Sequence, residues 1–210
     1  MRLTKLAIAC LSAAAGFAAL PVSPAAAQAQ PKRLAMQAIP AGGLTSAPIG
    51  WVDFCERNRS DCDVMSLRAQ AISLDEKTWR DIVRVNNSVN NAVEPLTDMA
   101  HHGVMDHWSY PVDGRGDCED YVLEKRRRLI AAGYPRQALL ITVVRDHRGD
   151  GHAVLTVVTD RGDFVLDNQA PKVLGWDSTG YRYIKRQSQE HPNRWISLGG
   201  FDTATTAGAR

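Results

Sequence analysis

The sequence predicts an α+β fold, with helices in its first part and an antiparallel sheet in its second. Three observations carry this. Apolar residues recur at spacings of three and four between Leu74 and Val93. A second helical segment follows the glycine-rich turn Gly114-Arg115-Gly116 and stops at Gly133 and Pro135. Beyond residue 138 come short β-branched and aliphatic runs separated by Gly- and Asp-containing turns.

The chain has 210 residues and is 44% hydrophobic, enough for one domain with an ordinary core once a leader is removed. It has 25 basic and 23 acidic residues, and the net charge of +2 is too small to argue for nucleic acid as a partner. Residues 1–27 read as a secretory signal peptide. Arg2 and Lys5 supply the charged start, Leu6 to Leu20 the apolar run, and Ala25-Ala26-Ala27 a cleavage site before Gln28. A membrane anchor fits less well, because the apolar run is short and broken by Pro21 and Pro24. Cys10 has too few apolar residues before it for a lipoprotein signal. The expected product is periplasmic or secreted, with no stable membrane insertion after leader removal. Residues 28–48 read as a flexible lead-in, 49–201 as the folded domain and 202–210 as a frayed tail.

Export changes the cysteine arithmetic. Cys55, Cys62 and Cys118 remain after cleavage, and an odd count in an oxidising compartment implies one bridge and one free thiol. Cys55 and Cys62 flank a short polar segment that a tight loop can close, contributing about 2 kcal/mol or slightly more by loop entropy. That pairing leaves Cys118 free.

The helix from Leu74 to Val93 is marked at its start by Ser73 with Glu76 three residues on, a capping-box pattern. Asn86, Asn87, Asn90 and Asn91 are poor helix formers that suggest polar contacts along one side, or simply a solvated face. Pro95 ends the element. His101, His102 and His107 lack the paired spacing typical of zinc and have no cysteine nearby.

Cys118 falls in the first turn of the next helix, in Gly116-Asp117-Cys118-Glu119-Asp120-Tyr121. Leu123, Leu129 and Ile130 lie on its apolar side, and Lys125 to Arg128 on the expected solvated side. Unpaired N–H groups and the helix dipole favour an anion there, which lowers a thiol's pKa. Taken alone, a space-filling cysteine is equally consistent. A nucleophile also needs a base and an orienting partner. His152 opens the strand-like run Gly151 to Val158, and Asp167 closes the next, Asp163 to Leu166. A hairpin through Asp160-Arg161-Gly162-Asp163 could bring them side by side at one end. Strands are also expected at Leu139–Val144, Lys172–Trp176, Tyr181–Lys185 and Arg194–Leu198.

These motifs, with Gly151-His152-Ala153-Val154-Leu155 and Leu166-Asp167-Asn168, resemble those of the bacterial transglutaminase-like cysteine peptidases, the LapG-like periplasmic proteases. The resemblance spans roughly Trp51 to Trp176. It implies a papain-like core, in which a cysteine-bearing helix packs on an antiparallel sheet. It also implies Cys118 as nucleophile, His152 as base and Asp167 as orienting carboxylate. Asp106-His107-Trp108 followed by Pro111 is similar to the family segment before the catalytic motif, where the aromatic would wall the cleft.

Asp117, Glu119 and Asp120 raise a difficulty, since nearby carboxylates oppose thiolate formation. Successive helical side chains diverge by about 100°, so Asp117 and Glu119 can aim away from the cleft. A hard cation would neutralise them. The resemblance implies calcium, with Asp117, Glu119 and Asp120 as ligands; otherwise they cap the helix and meet Arg115 or solvent. No organic cofactor is expected. Three functional readings follow: a cysteine endopeptidase acting through a thioester on periplasmic or surface proteins, a transglutaminase-type acyltransferase or amidase, and a non-catalytic calcium-stabilised binding module. The complete Cys, His and Asp set favours the first.

Overall fold

In a computed structural model, described for residues 38–198, helices come first and strands second, as the pattern predicts. β1 (Leu44–Thr45) precedes α1 (Ile49–Arg57) and the short α2 (Arg59–Cys62). α3 (Glu76–Ala92) is followed by β2 (Glu94–Pro95) and α4 (Asp98–His102). β3 (Arg115–Gly116) leads into α5 (Cys118–Ala131). The remaining strands are β4 (Leu139–Arg145), β5 (Gly151–Thr159), β6 (Gly162–Leu166), β7 (Leu174–Gly175), β8 (Arg182–Gln187) and β9 (Trp195–Ser197).

The main sheet runs β1-β9-β8-β4-β5-β6-β7, with every pair antiparallel. Its inner strands read as almost unbroken apolar runs because α5 packs on β5 and β4, and α3 packs on α5. Ile82, Val85 and Val89 of α3 meet Val122 and Leu129 of α5 and Leu155 of β5 in one core. Burial of such side chains contributes about 1.5–3 kcal/mol each. Trp51, Phe54, Trp108 and Trp195 form an aromatic group under α1, with Trp51 6.1 Å from Trp108 and 6.5 Å from Trp195. Trp108 is thus a core residue, not the cleft wall expected from its motif.

Several expectations shift. Asp75, not Ser73, caps α3 by accepting from the Thr78 N–H at 2.7 Å, while Ser73 donates to Asp160. The expected 172–176 strand shrinks to Leu174–Gly175. The segment read as a lead-in contributes β1, and the Ile39 N–H donates to Asp163, so ordered structure begins before residue 49. Lys125 and Arg126 are buried rather than solvated, and the Arg126 guanidinium donates to the Leu139 carbonyl at 2.9 Å. Cys55 and Cys62 are disulfide-bonded with Cα atoms 5.6 Å apart, and Cys118 is free. The signal-peptide and tail readings lie outside the described residues. Among the described residues no helix is long and apolar enough to cross a membrane.

Candidate active site

The turn before α5 is pinned by a two-stranded parallel ladder of β2 and β3. Gly116 must be glycine, since a Cβ there would lie 2.4 Å from Asp120 Oδ2. Asp120 turns that oxygen to the Asp117 N–H at 3.3 Å and its other oxygen to the Ser109 N–H at 2.7 Å. The start of α5 is therefore tied to the preceding loop by one carboxylate, and Cys118 is the first helical residue.

β5 brings the second group. Its pairing with β6 begins at Leu155 opposite Leu166, so the Gly151–Val154 end extends past β6. His152 lies on this extension, facing Val144 of β4 across the sheet ladder and almost fully buried. The Ala153 N–H, next in the chain, acts on the Cys118 thiol in the direction that lowers its pKa. α5 and β5 thus meet where the nucleophile and base candidates sit.

β6 brings the third group one residue beyond its end. His152 Nε2 is 2.8 Å from Asp167 Oδ1. Asp167 also accepts from the Gln169 N–H at 2.9 Å and from the Tyr181 hydroxyl at 2.6 Å, and Asn90 of α3 donates to its main-chain carbonyl at 2.8 Å. Burial alone would raise the Asp167 pKa. The hydrogen bond and charge of His152, with the Tyr181 and Gln169 donors, outweigh it and hold the carboxyl below its ordinary value. His152 Nδ1 is 3.4 Å from the Gln169 amide nitrogen, consistent with Nε2–H toward the carboxylate and Nδ1 as the free base.

The thiol itself donates to Glu119 Oε2 at 3.0 Å; among the described residues no hydrogen bond joins it to His152. Burial pushes the Cys118 pKa up, and the Glu119 charge pushes it further. Both findings correct the sequence reading, which had the helix start lowering this pKa and Glu119 aimed away.

Glu119 belongs to a carboxylate cluster. Ligand atoms of Asp98, Asp106 and Glu119 lie within 4.8 Å of one another, as do those of Asp117, Cys118 and Glu119, and of Asp98, Asp117 and Asp120. Burial and then the Asp117 charge push Glu119 up to about 9. Burial pushes Asp120 up to about 7 and also raises Asp117. Asp98 Oδ1 and Asp117 Oδ1 are buried without a hydrogen-bond donor. Crowded carboxylates with orphaned oxygens are chemically suited to a hard cation. Asp98, Asp117 and Glu119 offer it the freest oxygens, with Asp106 beside them although both its oxygens accept, from the Gly50 N–H at 3.0 Å and the Trp108 indole N–H at 2.8 Å. Asp120 likewise has both oxygens occupied by N–H groups and serves the helix start. Among the described residues no such group contains a histidine: His101 pairs with Asp113 at 2.9 Å, and His107 meets Arg57 at 2.8 Å.

Sequence reasoning singled out Cys118, His152, Asp167, Asp117, Glu119 and Asp120. It missed Asp98 and Asp106 of the acidic cluster, and Tyr181, Gln169 and Asn90 around Asp167. Long-range pairing alone brings these in. The one available signal was the run of asparagines in α3, of which Asn90 makes the polar contact.

The profile of the family described as bacterial transglutaminase-like cysteine proteinase BTLCP matches residues 41–203. Among solved structures, calcium-bound LapG of Legionella pneumophila is similar at 25% identity and a TM-score of 0.50, over 61% of this chain and 74% of that one. LapG of the same organism matches at 27% identity and a TM-score of 0.49, over 57% and 69% of the two chains. Its EGTA-treated form matches at 26% and 0.49, over 58% and 67%. No curated protein matches the chain.

Proposed function

The chain belongs to the bacterial transglutaminase-like cysteine proteinase family and is a cysteine protease, and on that premise we propose that it cleaves proteins through Cys118, His152 and Asp167. The observation that carries this reading is the buried 2.8 Å contact of His152 with Asp167, made from the strand on which the Cys118-bearing helix α5 packs.

The chemistry runs as follows. His152 Nδ1 takes the thiol proton, and Sγ attacks the peptide carbonyl carbon, forming the C–S bond. The Cys118 backbone N–H, at the helix start, helps hold the oxyanion. The imidazolium then gives its proton to the leaving amine as the C–N bond breaks, and a thioester remains. Water, deprotonated by His152, attacks the thioester and releases the acid, restoring the thiol. Asp167 fixes the Nε2–H tautomer and stabilises the imidazolium throughout.

Asp98, Asp106, Asp117 and Glu119 would hold calcium, a reading supported by their two orphaned oxygens and by the calcium-bound state of the similar LapG. Bound there, the ion supplies positive charge that offsets the carboxylates opposing ionisation of Cys118. Glu119, engaged in such a site, no longer competes with His152 for the thiol proton. The substrate class is protein, drawn from periplasmic or surface proteins. The leader-like residues 1–27 and the Cys55–Cys62 disulfide support export to an oxidising compartment.

The test is chemical. In calcium-replete protein, Cys118 should react with iodoacetamide at pH 6 far faster than a free thiol of pKa near 8.5, and His152→Ala should remove that advantage. Cys118→Ala should eliminate turnover with the fold intact. Mapping new protein termini in strains with and without Cys118 identifies the substrate. Alkylation at the rate of a model thiol would overturn the reading.

A further inference from the structure

A cavity of about 190 Å³ opens beside the triad, and Asp167 and Gln169 belong to its wall. Buried Val165 and half-buried Leu174 line its inner part, exposed His147 and Lys172 its rim. Sites that take whole small molecules are usually about 300–1,000 Å³, so this one suits a single side chain. Its place in the reaction follows from Gln169, whose amide nitrogen lies 3.4 Å from His152 Nδ1, the atom that hands a proton to the leaving amine. That amine belongs to the first residue after the scissile bond. The departing part of the substrate therefore runs past Nδ1 and Gln169. A side chain within its first three residues, about 10 Å of extended chain, can enter the cavity there.

The rim is set by packing. Gly180 has a φ of 69°, and a Cβ there would come within 2.8 Å of the His147 ring. The same ring lies 5.0 Å from that of Tyr181. Lys172 is held between Pro171 and Val173, and Val173 is buried in the core. Charge then selects the occupant. Asp167 has both oxygens supplied, Oδ1 by His152 and the Gln169 N–H, Oδ2 by the Tyr181 hydroxyl. Asp146, next to His147, is held by the Arg148 guanidinium at 3.4 Å and by the N–H groups of Arg148 and Asp150. Neither the Lys172 ammonium nor the His147 imidazole has a hydrogen-bond or acidic partner among the described residues. Water can serve an exposed lysine, but a carboxylate brought into the cavity meets its charge in partly enclosed surroundings, where it counts for more.

We propose that this cavity is a subsite for an acidic side chain, Asp or Glu, carried by the substrate protein within three residues after the scissile bond, and that Lys172 selects it. The proposal deepens the triad reading given above and rests on it. Lys172 and His147 take no part in the bond-making steps; they act on which sequence is held while those steps occur.

A peptide library prepared from a bacterial proteome, digested with calcium-replete enzyme and with Cys118→Ala as the blank, tests this. Asp and Glu should be enriched at one of the three positions after the Cys118-dependent cuts. A peptide with Glu there should have a kcat/KM about fivefold above its Gln counterpart, the upper end for a charge pair near water, and the difference should lie in KM. Lys172→Gln should bring that ratio to about one. Lys172→Glu should favour a Lys-bearing peptide instead, a reversal that a structural role for Lys172 would not produce. Alkylation of Cys118 by iodoacetamide should be equal in all three proteins, because it uses no subsite. Cys118-dependent cuts without acidic enrichment, or a Glu-to-Gln ratio untouched by Lys172→Gln, overturn the proposal and leave the triad standing. Absence of any Cys118-dependent cut sinks the triad mechanism, and the subsite with it.

Discussion

Cys118 separates two groups of buried carboxylates that solve the same problem in opposite ways. On one side Asp98, Glu119 and Asp120 are buried, Asp117 is half-buried and Asp106 lies at their rim, and the pKa values of Asp117, Glu119 and Asp120 are raised. On the other side Asp167 stands alone, equally buried, and its pKa is lowered. Burial acts in the same direction on both. The difference is the neighbours: Asp167 receives His152, Tyr181 and the Gln169 N–H, whereas the cluster receives only uncharged donors, crowds carboxylates against one another and leaves two oxygens without donors. One side therefore carries its own positive partners, and the other requires a cation from outside or protons from solution.

The sharpest way to break this comparison is to remove the charge on the self-sufficient side. Asp167→Asn should lower kcat on the order of ten-thousandfold, as expected when an orienting carboxylate and its tautomer are lost. Some activity remains because His152 is still present. Steady-state kinetics on any cleaved peptide measures it, and a loss below tenfold would mean that Asp167 does not orient the base.

On the dependent side, chelation should act on stability as well as turnover. Calcium at about a hundredfold above its Kd stabilises by roughly 2.7 kcal/mol, about 5–10 °C in melting temperature for a domain of this size. EGTA should remove that increment and added calcium restore it. A melting temperature indifferent to both would show that protons, not a cation, balance the cluster.

The pH dependence of the chelated protein should then expose the carboxylates directly. Glu119 has a folded pKa of about 9 against an ordinary 4.5, so between those values the folded state holds a proton that the unfolded state has released. Stability of the metal-free protein should therefore fall as pH rises through that window. Calcium should flatten or reverse the slope. Denaturant midpoints at pH 5, 7 and 9 with and without calcium decide it, and a rising slope in EGTA would contradict the raised Glu119.

Legibility in the sequence followed the distance over which each feature is specified. The α5 start was readable from Gly116 through Tyr121, and the β5–β6 hairpin from Asp160 to Asp163, because caps and turns are written locally. The disulfide followed from an odd cysteine count, and the three triad candidates from motif order. Asp98 and Asp106 were not readable, since nothing near them distinguishes a buried carboxylate from a solvated one. Lys125 and Arg126 were misjudged for a related reason. Four consecutive basic residues read as a wet face, but α5 is covered by the sheet and by α3, and two of the four point inward. Tyr181 is more remote still: β8 reaches the site from the far side of β4, a neighbour relation set only by the whole strand order.

Tyr181 supplies the smallest of the expected effects and the finest test of the contrast. Its hydroxyl donates to Asp167 Oδ2 at 2.6 Å, on the oxygen opposite the one that meets His152. Tyr181→Phe removes one donor and leaves the ring to pack beside His147 and His152. A hydrogen bond to a charged group is worth about 1.5–3 kcal/mol, and the lower end applies because Tyr181 is only half-buried. The sign follows from the lowered Asp167 pKa: the stabilisation is present above the ordinary carboxyl value of 3.8 and is lost as pH falls through the folded one. The variant should thus be less stable by about 1.5 kcal/mol at pH 7, and the deficit should shrink as Asp167 becomes protonated. Turnover should fall only a fewfold, since His152 and Gln169 still hold the carboxylate. A deficit that stays constant as pH falls through the range in which Asp167 becomes protonated would assign Tyr181 a packing role and leave Asp167 relying on His152 and its own turn.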